Sequence, residues 1–203
     1  MSDTYAQVMR SASSIQGAGF DAAVAGFRSG IAEVSDADPH FTFEDTPAPK
    51  RLARYALAVA ATVNRDADEV ASGRLVLLYD PDGQQSWPGV FRLVAYVRAD
   101  IEPEVAADPL LGEVGWSWLT EALEATGYTA ASGTVTRVIT EGYGSKSDEP
   151  PETGFELRAS WSPADEPEPP ELAGHVVAWC ACLAAAAGLE PPGTRALTMR
   201  QRQ

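Results

Sequence analysis

The apolar residues near the two ends of the chain recur with the period of an α-helix. From Phe20 to Val34 they fall every three or four positions, which places them on one helical face. From Leu172 to Ala187 a second series has the same spacing, and Gly188 followed by two prolines ends it. The pattern therefore predicts a first helix at about residues 20–34 and a last helix that ends near residue 188.

Between these helices, apolar and polar residues alternate with the period of two that is typical of β-strands. A third helix separates the first three strands from the last two, because Asp108 and Pro109 are typical of a helix start and Gly127 of a helix end. Residues 35–50, which contain several aspartates and prolines, show no sustained period and are predicted to be a linker. The predicted strands are residues 52–63, 74–79, 87–99, 134–140 and 155–161.

This order of elements predicts an α+β fold in a single domain. The order is αβββαββα, and strands joined by tight turns favour one twisted antiparallel sheet that the helices cover. The domain is predicted to span residues 20–192. Residues 1–19 are predicted to form a flexible N-terminus, and residues 193–203 a disordered C-terminal tail.

The charge balance argues against nucleic acid and anionic membranes as partners. The chain carries 29 acidic and 15 basic residues, which gives a formal net charge of −14. Such a field repels phosphate backbones and anionic headgroups. The local basic groups are interpreted as solvated faces; they are Lys50, Arg51 and Arg54, and Arg195, Arg200 and Arg202 in the tail.

The sequence predicts a cytoplasmic protein. The first ten residues contain no basic region followed by an apolar run, so no export signal is expected. The longest apolar run, residues 176–189, is short for a membrane span of about 20 residues. Cys180 and Cys182 lie two positions apart in the last helix, where they cannot bridge each other, and reduced cysteines are typical of the cytoplasm.

No catalytic residue, cofactor or metal site is predicted. Gly17, Gly19 and Ala22 match a G-x-G-x-x-A pattern, but no strand precedes them as a dinucleotide-binding unit requires. His40, His175 and the two cysteines lack the spacing of a zinc site. The commonest hydrolase, metalloprotease and phosphoryl-transfer motifs do not occur, which lowers the expectation of an enzyme without excluding it.

One acidic cluster provides an alternative function. Glu102, Glu104 and Asp108 follow the third predicted strand, and Arg92 or Arg98 would lie beside them at a sheet edge. Grouped carboxylates are typical of acid/base or cation sites. A small-molecule enzyme or ligand-binding protein with this site is the alternative hypothesis, and solvated loop acids are the competing interpretation.

Three tryptophans are candidate contact residues for a protein partner. Trp116 and Trp118 lie two positions apart at a helix start, so they cannot both face one core. Trp87 lies beside a predicted strand. Exposed tryptophan is enriched at protein interfaces. Trp87, Trp116 and Trp118 are therefore predicted to form an interaction surface, whereas the competing interpretation packs Trp116 and Trp118 on the edges of the sheet.

Four segments have a recognisable sequence. They are EVASGRLVLL at residues 69–78, AADPLLGEVGWSWL at 106–119, GTVTRV at 133–138 and RASW at 158–161. Together they resemble the actinobacterial family called Domain of Unknown Function 3000, with a likeness that runs over about residues 20–192. The resemblance implies no activity and no site residues, since the family has none established.

The order of elements also resembles type III secretion chaperones, in which helices cover a twisted antiparallel sheet that often dimerises. Fold alone does not imply function. The resemblance leads to our main functional hypothesis, a protein-binding, chaperone-like or adaptor module whose partner is another protein or a second copy in a homodimer.

Overall fold

A computed structural model defines the backbone of residues 2–164 and 170–193, and the side chains of this part from residue 17 onward. The helices are α1 (Ser2–Ala37), α2 (Pro103–Ala107), α3 (Leu111–Leu123) and α4 (Ala173–Ala186). The strands are β1 (Phe41–Asp45), β2 (Tyr55–Arg65), β3 (Asp68–Tyr79), β4 (Phe91–Asp100), β5 (Tyr128–Thr140) and β6 (Glu152–Pro163).

The strands form one open antiparallel sheet of six strands in the order β1-β2-β3-β4-β6-β5. The first four strands follow one another as hairpins, and the last hairpin then joins through β6, which pairs with β4. Strands β1 and β5 are the two edges. The predicted α+β fold class in a single domain with an antiparallel sheet is confirmed.

Helices cover one face of the sheet, which we call the covered face. Helix α4 contacts β3 and β4 and packs between α1 and α3. Helices α1 and α4 approach each other so closely at Gly30 that no larger residue fits, since an added Cβ there would lie 2.8 Å from the Cβ of Val176. The core of this face is built from odd-numbered strand residues such as Leu75, Leu93, Val97, Leu157 and Trp161, all of them fully buried.

The opposite face of the sheet, which we call the open face, is covered only in part. A small cluster of Ala58, Val76 and Leu78 packs here against Ala53 and Trp87 from the loops that follow β1 and β3. Alanine on β2 and hydroxyl or charged residues on β4 and β6 give this face too little apolar surface for a second helical layer. The strands therefore have one buried side and one side that is largely accessible.

Strand β1 lies within the predicted linker, so the linker prediction was wrong for this segment. Phe41 to Asp45 pair with Val63 to Val59 of β2. The strand is only five residues long and prolines flank it, which hid its alternation of Phe41 and Phe43 with polar residues. The short helix α2 was also not predicted, and β3 begins at Asp68 rather than at residue 74.

The chain ends differ from the prediction in extent. Helix α1 begins at Ser2, well before its predicted start at Phe20. The predicted C-terminal tail lies outside the described residues from residue 194 onward, together with its three arginines. The centre of the acidic loop before α4, residues 165–169, also lies outside them.

Candidate binding surfaces

Trp116 and Trp118 both lie half-buried between α3 and the sheet. The ring of Trp116 lies against Gly133 of β5, where an added Cβ would lie 2.6 Å from it. The ring of Trp118 packs against Phe155 of β6 with 5.3 Å between ring centroids. The geometry therefore favours the competing interpretation, in which both tryptophans pack on the sheet.

Trp87 lies on the other side of the sheet. It is half-buried in the loop after β3 and packs against Ala58, Val76 and Leu78 on the open face. The three tryptophans are thus divided between the two faces and do not form one continuous surface.

The acidic cluster does not converge on a site. Glu102, Glu104 and Asp108 are all exposed, on or next to α2. One carboxylate oxygen of Asp108 accepts a hydrogen bond from the backbone N–H of Leu110 at 2.8 Å, which stabilises the turn before α3. These contacts are those of solvated loop acids.

Arg92 and Arg98 were expected beside this acidic cluster at a sheet edge. They do not lie at an edge, because β4 is an internal strand. Arg92 is 7% exposed and donates hydrogen bonds to the backbone oxygens of Ala130 and Ser160 and to the Ser160 hydroxyl. Burial lowers the pKa of Arg92, although a guanidinium stays protonated. Arg98 lies 3.9 Å from the carboxylate of Asp100.

His175, Cys180 and Cys182 belong to the core. The indole N–H of Trp161 donates to Nδ1 of His175 at 3.2 Å, and burial lowers the pKa of His175 to about 4. The imidazole is therefore neutral at physiological pH. Burial raises the pKa of both thiols, that of Cys182 to about 12, so neither forms the reactive thiolate.

Among the strands of the described ranges, β5 has a neighbour on one side only and so presents a long edge. It has 13 residues, pairs with β6 on one side and is largely exposed along its length. Its sequence contains no proline and a single charged residue, Arg137, whereas natural edge strands are commonly protected by charge, proline or shortness. An irregularity between Thr129 and Ser132, with Ala130 at φ 50°, leaves residues 132–140 as the regular part.

Exposed apolar side chains occur on β5 and on the helices that contact it. Arg137 donates a hydrogen bond to the backbone oxygen of Asp108 at 3.2 Å, which ties the turn between α2 and α3 to β5. Ile139 of β5 is 61% exposed, and Tyr143 just after it is 78% exposed. We use the term β5 edge surface for the edge of residues 132–140, with Ile139 and Tyr143 at its end, together with the adjoining α2–α3 segment, whose exposed apolar residues are Val105, Leu110 and Val114.

A second surface lies on the open face, where a groove of about 600 Å³ opens between the segment after β1 and strands β3, β4 and β6. Arg74 donates a hydrogen bond to the backbone oxygen of Pro47 and so holds that segment over the sheet. This open-face groove is lined by Pro47, Pro49, Arg74, Val76, Val94, Tyr96 and Arg158.

Comparison with known families decides where the chain belongs. The family model described as "Protein of unknown function (DUF3000)" matches residues 17–195. The chain belongs to this family. The match includes every strand, so both surfaces of this DUF3000 protein lie within the family region.

No curated protein and no solved structure matches this DUF3000 chain. The resemblance to type III secretion chaperones therefore stays an analogy of element order. None of the helices in the described ranges is both long enough and apolar enough to cross a bilayer.

Neither surface of this DUF3000 protein was predicted from the sequence as a site. The signal for the groove was present, because Arg74, Tyr96 and Arg158 occupy the polar positions of alternating strands. The signal for the β5 edge was its run of β-branched residues with one charge. Neither local pattern indicates which strand becomes an edge or which loop crosses a face.

Proposed function

We propose that this DUF3000 protein is a protein-binding module of the cytoplasm, and that its contact site is the β5 edge surface. The observation that supports the proposal is the accessible edge of residues 132–140, with one charge and an apolar border. An extended segment of a partner would add to the sheet as a seventh strand. Backbone hydrogen bonds would give affinity, and side-chain contacts would give specificity.

The apolar border supports this use of the edge. Ile139 is exposed near the end of β5 and Tyr143 just after it, and Leu110, the N-cap residue of α3, and Val114 of α3 are exposed as well. Burying one such side chain contributes about 1.5–3 kcal/mol. Strand addition alone has weak sequence preference, so the border would select partners with an apolar segment.

The other edge of the sheet does not offer the same surface. Strand β1 has five residues, two of which are Glu44 and Asp45. Asp45 forms an ion pair with Arg28 of α1 at 2.6 Å. This short charged edge has the features that prevent strand addition.

A second copy of the chain satisfies the same geometry. A two-fold axis perpendicular to the sheet would bring two β5 strands together antiparallel and keep the helices of both copies on one face. The apolar border is then complementary to itself, as an isologous interface requires. The homodimer and a different protein partner are thus two occupants of one surface, and the experiment distinguishes them.

The experiment compares Thr136→Lys on β5 with Thr42→Lys on β1. Both threonines are exposed on edge strands, so both variants should fold and differ only in the edge that carries the charge. Sedimentation velocity measures the oligomeric state, and crosslinking in the native host followed by mass spectrometry identifies bound proteins.

We expect either a dimer or a near-stoichiometric complex with another protein. Thr136→Lys should weaken the affinity of that complex at least tenfold, and Thr42→Lys should leave it unchanged. Loss of a dimer identifies the second copy as the occupant, and loss of another protein identifies an adaptor role. A monomer without a crosslinked partner, or equal effects of both variants, would overturn the proposal.

A further inference from the structure

We propose that the open-face groove binds an organic anion that has a single acidic group, such as a carboxylate or sulfonate, on an apolar body. This site is separate from the β5 edge surface, and the inference does not depend on the protein-binding function. The donors at the groove, the charge around it and the apolar residues of its floor support this ligand class.

Arg74 at the groove has a guanidinium whose hydrogen-bonding capacity is only partly used. One terminal nitrogen of this guanidinium donates to the backbone oxygen of Pro47, but Nε is buried and has no hydrogen-bond partner. A buried donor without a partner costs about 1–3 kcal/mol. Within the described part of the chain Arg74 forms no ion pair, so its charge remains available to an acidic group in the groove.

A fixed cation lies on the β6 side of the groove. The guanidinium of Arg158 lies 5.1 Å from the centroid of the Tyr96 ring and forms an ion pair with Glu156 at 2.9 Å. Burial raises the pKa of Tyr96, and its hydrogen bond with Glu156 raises it further, so the phenol stays a neutral donor. These contacts hold Arg158 in place while its side chain stays 59% exposed.

The charges at this face also bear on the ligand. Arg92 belongs to the open-face positions of β4, is 7% exposed and donates to neutral oxygens of Ala130 and Ser160, so no carboxylate cancels its charge through these contacts. In a chain of formal charge −14, Arg74 and Arg92 add positive charge at this face, whereas Glu156 offsets part of the charge of Arg158. An anion is the ligand that such positive charge attracts.

The floor and wall of the groove determine the rest of the ligand. Val76 and Val94 form an apolar floor, and Pro47 and Pro49 form an apolar wall. The volume of about 600 Å³ lies within the range of about 300–1,000 Å³ that is typical of small-molecule sites. A polyanion such as a nucleotide would leave most of its charge next to apolar residues. An aromatic or branched monoanion would place its acidic group at the arginines and its apolar body on the floor and wall.

The test uses 1-anilinonaphthalene-8-sulfonate, whose single sulfonate is attached to an aromatic body and whose fluorescence rises in apolar surroundings. Its fluorescence is titrated with the wild type, Arg74→Gln and Arg158→Gln. Arg98→Gln is the matched control, because Arg98 is an exposed arginine of β4 that does not line the groove. Thermal unfolding of each variant checks that the fold is intact.

The expected result is one equivalent of bound dye and affinity about tenfold weaker for Arg74→Gln, with Arg98→Gln equal to the wild type. Arg158→Gln should weaken binding as well, which keeps the test valid if Arg74→Gln loosens the segment at Pro47. Octanoate should compete with the dye, and inorganic phosphate should not. Absence of binding, or equal affinity of the Arg74 and Arg98 variants, would overturn the proposal.

Discussion

On strand β4, Val97 points toward the helices and is fully buried, whereas Val94 lies on the open face and stays partly accessible. The same contrast holds between Leu157 and Arg158 on β6, which are neighbours in the chain. Each strand therefore contributes one side to the core and one side to a surface. The difference indicates that stability depends on the covered face, while the open face is free to bind a ligand.

The largest effect should come from acid, through His175 on the covered side. Its pKa is about 4 in the folded protein and about 6.5 in the unfolded chain. Above pH 6.5 the ring is neutral in both states, so it gives no pH dependence. Between pH 6.5 and 4 the unfolded chain binds a proton that the folded protein does not, and stability falls by about 3 kcal/mol.

The measurement is the free energy of unfolding by urea from pH 7.5 to pH 4. His175→Gln should be less stable at neutral pH but should lose the part of the slope that the histidine contributes. Carboxylates affect both proteins equally, so the difference between the two curves isolates the ring. Parallel curves would show that His175 is not protected from protonation.

The next effect compares the two valines of β4. Val97→Ala should lower the free energy of unfolding by about 2–3 kcal/mol, because it removes two buried methyl groups and leaves a cavity. Val94→Ala should lower it by less than about 1 kcal/mol, because its side chain already contacts solvent. Chemical denaturation of both variants measures the difference, and equal losses would contradict a sheet with one structural face.

The smallest effect compares two tryptophans. Trp161→Phe should cost about 1–2 kcal/mol, since it removes the indole N–H that donates to His175 as well as some packing. Trp87→Phe on the open face should cost less than about 1 kcal/mol, because the ring there is half-buried in a loop contact. Thermal unfolding of the pair measures this difference; a larger loss for Trp87→Phe would reverse the assignment of the two faces.

Much of the fold could be predicted because its elements are long and strongly periodic. The alternation of Phe155, Leu157, Ala159 and Trp161 corresponds to the covered face of β6 along its whole central part. Strand β1 could not be predicted in the same way, since five residues between prolines give too few repeats to reveal a period. Its pairing with β2 is a tertiary contact that local sequence does not contain.

The candidate surfaces were harder to predict for a related reason. Alternation placed Arg92 and Arg98 on one side of β4, but it did not show that β6 would pair there and bring Arg158 beside Tyr96. Likewise, the spacing of Trp116 and Trp118 showed that the two rings point in different directions. It did not show that α3 contacts both β5 and β6, so that each ring reaches the sheet. Sites assembled by strand order require the topology as well as the pattern.

The strand order has a consequence for how the chain is made. Strand β4 ends at Asp100, but its sheet neighbour β6 ends only at Pro163. Helix α4, which covers β4, comes later still. At about 5–20 residues per second, ribosomal synthesis takes on the order of ten seconds to supply that partner. During this interval the nascent β1–β4 meander has β4 as a temporary free edge with its apolar side uncovered. The partner of β4 thus comes only from the last quarter of the chain, and we expect truncation there to lower the yield of soluble protein.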